Sequence, residues 1–138
     1  MVLPVGDAPN PRGAPFVTWL IIAANVAVFV LLTMPLSEAP ADRSSPVFEQ
    51  YVAAIEQTVD DPNQVRQFIH DASAYDLFVF VHGFRPVAPS AADLLTSLFL
   101  HANFMHLFGN MLFLWIYGDN VEHRLGRLPY LATYLATE

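Results

Sequence analysis

Two histidines and two asparagines lie within a largely apolar run, residues 94–118, that contains no Asp, Glu, Lys or Arg. They are His101, Asn103, His106 and Asn110. Polar groups are costly within the hydrocarbon of a membrane, and those that occur there usually face protein or a water-filled cavity. These side chains are therefore the first candidates for chemistry in this chain.

The spacing of His106 and Asn110 suggests what that chemistry is. The two residues are four positions apart, so on a helix they lie one turn apart on one face. Gly109 removes a side chain beside them and would let another backbone or a substrate approach closely. A neutral imidazole and a carboxamide both offer N–H donors, which can stabilise a developing oxyanion in a low-dielectric site. The same pair could instead bind a neighbouring helix, and the pair alone leaves both interpretations open.

The wider stretch resembles the second transmembrane helix of the rhomboid intramembrane serine proteases. The family pattern is two His residues five positions apart, an Asn four positions later, an aromatic-rich run, a Gly and a terminal V-E-x-R-L-G. The matching positions here are His101, His106, Asn110, residues 113–117, Gly118 and residues 121–126. The resemblance implies that His106 and Asn110 contribute side chains to the oxyanion hole. It also implies that His101 is a structural or substrate-proximal residue near the outer end of the helix.

The resemblance implies a serine-type intramembrane endopeptidase that cleaves transmembrane substrates and needs no cofactor. Rhomboids use a Ser in a G-x-S-G motif and a His on a later helix as their catalytic dyad. No Ser of this sequence lies in such a motif. The 138-residue chain is therefore predicted to be inactive alone, since it has oxyanion donors without a nucleophile and its base.

Two other functions remain open. A rhomboid-like pseudoprotease would bind membrane clients without cleaving them, although polar residues kept in lipid favour a protease because they are costly without a use. A metal site on His101 and His106 is disfavoured, since residues five apart lie about 140° apart around a helix. The span contains no carboxylate, whereas zinc sites need three or four converging ligands. We expect no metal.

Composition indicates a membrane protein. The chain is 54% hydrophobic and 14% charged, against about 25% charged residues in a typical soluble domain. Its net charge of −7 and lack of Lys argue against nucleic acid as a partner. It has no Cys, which excludes disulfides and thiolate metal sites. The expected partners are the lipid bilayer and transmembrane protein substrates, and the sequence does not indicate an oligomeric state.

The elements that must position the site begin with a tail and a first span. Residues 1–15 are rich in Pro and Gly, which predicts a disordered tail. Residues 16–34 contain no charge and predict a first transmembrane helix that Pro35 closes. Asn25 would need a partner from another helix. A signal anchor is the alternative, although the run exceeds the usual apolar region of about 7–15 residues in signal peptides.

Residues 35–93 predict a long external loop. Apolar residues recur at helical spacing from Phe48 to Val59, and again after Asp60-Asp61-Pro62, a good helix start. We therefore expect two amphipathic helices that pack or lie on the membrane surface. Residues 75–84 are apolar but too short to span, and their pattern does not separate helix from strand. Residues 83–86 resemble a G-F-x-P segment that precedes the second helix of rhomboids.

The remainder predicts a second transmembrane helix over residues 94–121, then a cytoplasmic turn and the start of a truncated third helix over residues 122–138. Arg12 precedes the first span, and Arg124 and Arg127 follow the second, which places the N-terminus in the cytoplasm. The expected fold class is an all-α membrane protein. It is a truncated rhomboid-like helical bundle with a long first loop that carries amphipathic helices.

Overall fold

A computed structural model of the chain describes residues 13–84 and 90–137. These residues form helices and no strands, which confirms the all-α fold class. The predicted tail lies mostly outside the described residues, as does the second half of the G-F-x-P segment. The helices are α1 (Phe16–Val28), α2 (Met34–Glu38), α3 (Pro46–Thr58), α4 (Pro62–Asp71), α5 (Ala74–His82), α6 (Ala91–Ser97), α7 (Phe104–Leu125) and α8 (Arg127–Thr137).

The described residues divide into two compact units. The loop unit comprises residues 30–100, and the three-helix unit comprises residues 13–29 and 101–137. Helices α1, α7 and α8 pack against one another in the three-helix unit, which contains the predicted site residues.

Helices α1 and α2 are continuous through a π-helical turn, Phe29–Thr33. Among the described residues, the resulting helix Phe16–Glu38 is the one long and apolar enough to cross a membrane. It has 23 residues and a mean hydropathy of 2.4 over its most apolar window. A signal sequence near an N-terminus also meets these criteria of length and hydropathy, so both interpretations of residues 16–34 remain open.

The prediction that Pro35 ends the first helix is wrong. Pro35 lies in the first turn of α2, and the helix continues to Glu38. Proline lacks a backbone N–H, and its ring clashes with the carbonyl four residues earlier in a regular α-helix. That carbonyl belongs to Leu31, inside the π-helical turn. The wider turn changes the hydrogen-bonding register and so accommodates the proline.

The prediction of one continuous helix over residues 94–121 is also wrong. Helix α6 ends at Ser97, and α7 begins at Phe104. Asn103 has an extended backbone (φ −160°, ψ 168°), and its side-chain oxygen accepts a hydrogen bond from the His106 N–H. Asn is a strong N-cap residue because its side chain satisfies a free donor of the first helical turn. A charge-free run does not reveal such a cap.

Helix α7 nevertheless has the length of a span. Its 22 residues extend about 33 Å at 1.5 Å per residue. It continues to Leu125, so the turn expected at residue 122 begins later, at Gly126. Gly126 has φ +84°, a left-handed conformation that glycine adopts without strain. Helix α8 follows where the third helix was expected, and membrane crossing by α7 and α8 stays a prediction.

The loop unit contains the two amphipathic helices that the sequence predicts. The Ser45 hydroxyl caps α3 by accepting from the Phe48 N–H, and the Asp61 carboxylate caps α4 by accepting from the Asn63 N–H. Proline occupies the first turn of both helices, where its missing N–H costs nothing. The expected helix start at Asp61-Pro62 is therefore confirmed.

The apolar segment 75–84 is helical up to residue 82. Ser73 and Asp76 form a capping box at the start of α5, which satisfies two backbone donors reciprocally. Phe48 of α3 and Leu77 of α5 are buried together with Ala41. The loop unit thus has a small apolar core of its own.

Candidate functional site

Three predicted site residues meet at the N-terminal end of α7. Nδ2 of Asn110 lies 3.2 Å from Nε2 of His101. The ring centroids of His101 and His106 are 5.3 Å apart. His106 and Asn110 are four residues apart on α7, so they occupy adjacent turns of one helix. The structure therefore brings together the two predicted oxyanion donors and the third polar residue of the pattern.

His101 reaches this cluster from outside the helix. It precedes the N-cap Asn103 and is only 3% exposed, whereas Asn110 is half-buried and His106 is exposed. The 140° separation inferred for His101 and His106 assumed one continuous helix and does not apply. The break before α7 removes His101 from the helical lattice and lets its ring approach both partners.

The chemistry of the Asn110–His101 contact follows from the atoms involved. An amide NH2 group can only donate, so a hydrogen bond between Nδ2 of Asn110 and Nε2 of His101 requires Nε2 to be unprotonated. The imidazole is then neutral, and its proton is on Nδ1. The Nδ2 group has two hydrogens, and the contact with His101 uses one of them. The second can donate to another acceptor.

Gly109 lies beside open space. A Cβ atom at this position would meet no other atom within 4 Å. The nearby side chains of Phe104, Met105 and Phe108 are exposed. His106, Gly109 and these apolar side chains are thus all exposed in the first turns of α7.

The opposite end of α7 holds a buried carboxylate. Glu122 is 3% exposed and accepts hydrogen bonds from the N–H of Val17 (3.1 Å), the N–H of Thr18 (2.9 Å) and the hydroxyl of Thr18 (2.9 Å). The N-cap of α1 is Pro15, which provides no side-chain cap. Glu122 supplies one from another helix, and its negative charge suits the positive end of the α1 dipole.

The sequence contains one signal for this contact, Pro15 immediately before the first helix. A proline at an N-cap position cannot cap its own helix, so the free N–H groups of α1 require an acceptor from elsewhere.

Arg127 flanks the carboxylate of Glu122, with its Nε 3.8 Å from a Glu122 oxygen. Its guanidinium also lies 5.0 Å from the centroid of the Phe16 ring.

Two polar pairs connect α1 to α8. The hydroxyl of Tyr130 lies 3.4 Å from Oγ1 of Thr18. Nδ2 of Asn25 donates to the hydroxyl of Tyr134 at 3.1 Å, and Asn25 is completely buried. The prediction that Asn25 needs a partner from another helix is therefore confirmed.

Gly118 permits the close approach of α1 to α7. A Cβ at Gly118 would lie 2.7 Å from Cγ2 of Thr18 and 2.9 Å from the hydroxyl oxygen of Tyr130. Both distances are shorter than van der Waals contact. Gly118 therefore acts through packing and not through chemistry.

Part of the chain matches a known protein family. Residues 89–138, which include all the predicted site residues, match a family model described as the Rhomboid domain. Neither the curated proteins nor the solved structures provide a match to the chain. The family concerned is membrane-embedded and is known for serine intramembrane proteases, so the domain indicates an intramembrane protease of this kind or a relative.

Proposed function

We propose, on the rhomboid family membership that the match over residues 89–138 supports, that this chain provides the oxyanion-stabilising part of an intramembrane serine endopeptidase. The observation that carries the proposal is the cluster of His101, His106 and Asn110 beside the open space at Gly109. His106 and Asn110 are the proposed donors.

The reaction that this cluster suits is attack of a hydroxyl on a peptide carbonyl. The carbonyl oxygen becomes negative in the tetrahedral intermediate, and fixed N–H donors stabilise it more than they stabilise the substrate. The imidazole of His106 and the second N–H of Asn110 would point at that oxygen. The 138 residues contain no G-x-S-G motif that would provide the nucleophilic Ser. In this proposal the Ser and its His base come from residues outside these 138.

The proposed setting is a multi-pass membrane protein with a cytoplasmic N-terminus. Its partners would be the lipid bilayer and transmembrane protein substrates. The apolar helix Phe16–Glu38 and the exposed apolar side chains along α7 support a location in lipid. A membrane-embedded site also suits substrates that are themselves membrane helices.

The first test uses the chain as it is. The purified 138-residue chain, reconstituted in lipid nanodiscs, should not cleave a fluorescent reporter that carries a transmembrane segment. Turnover would contradict the prediction that the chain lacks a nucleophile and base. Reporter binding without turnover would be compatible with either a protease part or a pseudoprotease.

The second test uses an extended chain, the longest natural form of the protein that contains these 138 residues. His106→Ala and Asn110→Ala should each lower kcat by about 10²–10³-fold with little change in KM, as removal of an oxyanion donor does elsewhere. Trp115→Phe is the control, because Trp115 is exposed on the same helix. Unchanged kcat in both Ala variants would contradict the oxyanion role. Client binding without any cleavage by the extended chain would favour the pseudoprotease.

A further inference from the structure

His101 contacts the carboxamide of Asn110 directly and lies against the ring of His106. It is the buried member of the cluster and belongs to the segment that precedes α7. The side chains of His106 and Asn110, by contrast, are on the helix itself. A group that is fixed from a second direction can restrict how a helix side chain is oriented.

The orientation of Asn110 matters because a carboxamide has two chemically opposite ends. The terminal torsion of Asn is broad and roughly two-fold, so its oxygen and its NH2 group can exchange places. Facing a developing oxyanion, the NH2 group would stabilise the negative charge, whereas the carbonyl oxygen would repel it. Some neighbouring group must select between the two orientations.

In the structure the NH2 end of Asn110 faces Nε2 of His101 at 3.2 Å. A ring nitrogen without a proton accepts hydrogen bonds and cannot donate them, so His101 in that tautomer would hold the NH2 end of Asn110 on its side. One N–H is then bound to His101, and the other points away from it in the plane of the amide. Burial of His101 at 3% exposure restricts the motion of the acceptor.

We propose that His101 is a positioning residue that holds the Asn110 carboxamide with an N–H, and not its oxygen, available to the substrate. The catalytic part of this statement rests on the proposed function above. The contact itself and the imidazole tautomer do not, so they can be tested on the chain without any catalytic activity.

The direct test is nuclear magnetic resonance on the ¹⁵N-labelled 138-residue chain in lipid nanodiscs. We expect an unprotonated Nε2 and a protonated Nδ1 on His101, and a distinct pair of side-chain N–H signals for Asn110. In His101→Leu the signal of the bonded N–H should shift toward the value of an unbound carboxamide, because it loses its acceptor. In His101→Gln, which offers a carbonyl oxygen as acceptor, that signal should return toward its original value.

A control and a contrary outcome complete this test. His70→Leu should leave the Asn110 signals unchanged, because His70 is exposed in the loop unit. A purely structural role for His101 would shift the backbone signals along α7 in both variants, without rescue by Gln. That outcome would overturn the proposal, as would a protonated Nε2 in the unmodified chain.

The second arm measures catalysis in the extended chain. His101→Leu should lower kcat by about 10- to 100-fold, the cost of misplacing a catalytic group, and His101→Gln should recover most of the loss. In the Asn110→Ala background His101→Leu should have little further effect, because the two residues act as a unit. Full additivity of the two losses would overturn the proposal. Absence of all proteolysis would instead contradict the proposed function, while the spectroscopic arm would still decide the contact.

Discussion

Each end of α7 contains a glycine and a polar side chain, but these are buried at one end and exposed at the other. At the C-terminal end, Gly118 and Glu122 are buried, and the groups around them come from α1 and α8. At the N-terminal end, Gly109 borders open space and His106 is exposed. One end therefore holds the three-helix unit together, and the other leaves His106 exposed. A polar residue within an apolar helix is a site candidate when part of its hydrogen-bonding capacity remains available.

The largest expected effect is on the closed end of α7. Glu122→Ala would remove the acceptor of two backbone N–H groups, that of Thr18, which is buried, and that of Val17, which is partly buried. Each unsatisfied buried group costs about 1–3 kcal/mol, so we expect the free energy of unfolding to fall by about 2–4 kcal/mol. Denaturant titration in mild detergent, followed by fluorescence, measures it, since Trp19 and Trp115 both lie in the three-helix unit.

A conservative variant and a control sharpen this result. Glu122→Gln keeps one acceptor oxygen and should lose less stability than Glu122→Ala. Glu56→Ala removes a charge from an exposed position on α3, and surface changes of this kind stay within about 0.5 kcal/mol. Equal effects for Glu122→Ala and Glu56→Ala would show that Glu122 does not cap α1.

The next effect concerns packing at Gly118. Gly118→Ala would place a methyl group against Thr18 and Tyr130, and overpacking of this kind costs about 1–3 kcal/mol. The same detergent titration should show the loss. A second variant, Gly118→Ala with Thr18→Ser, removes the clashing methyl of Thr18 and should recover part of it. No loss in Gly118→Ala would mean that α1 and α7 are farther apart than described.

The smallest effect, and one of opposite sign, is expected at Gly109. Its Cβ would enter empty space, and alanine is favoured over glycine within a helix by about 0.5–1 kcal/mol. Gly109→Ala should therefore be neutral or slightly stabilising. In the extended chain it should still lower kcat/KM, because the methyl group fills space beside Asn110. Loss of stability with unchanged kcat/KM would remove the distinction between the two ends.

Sequence patterns predict local structure in this chain better than they predict the contacts of the site. Asp61-Pro62 signals a helix start through the chemistry of two adjacent residues, and α4 begins there. The break before α7 depends on Asn103, which caps the helix. An Asn in an apolar run can equally lie inside a helix and bind a polar partner, so the sequence alone does not predict the break. Pro35 is a helix terminator by local rules, yet a π-helical turn admits it.

The sequence predicts which residues form the candidate site, but it does not predict how they are arranged. Periodicity correctly places His106 and Asn110 one turn apart, because that relation depends only on helical spacing. Helical periodicity places His101 on a different face of the helix from His106. That placement is wrong, because His101 precedes the helix. Glu122 and its contacts with Thr18 join positions more than 100 residues apart, and no short-range pattern contains that information.

The two polar pairs that connect α1 to α8 show in which direction each helix of the three-helix unit runs. Thr18 is matched with Tyr130 and Asn25 with Tyr134, so residue numbers increase in the same sense along both helices. Glu122 near the end of α7 meets the beginning of α1, so α7 runs the opposite way. If α1 and α7 both cross a bilayer, as proposed, Pro15 and Gly126 would lie at the same face of it, and protease accessibility at either residue would report the sidedness of both.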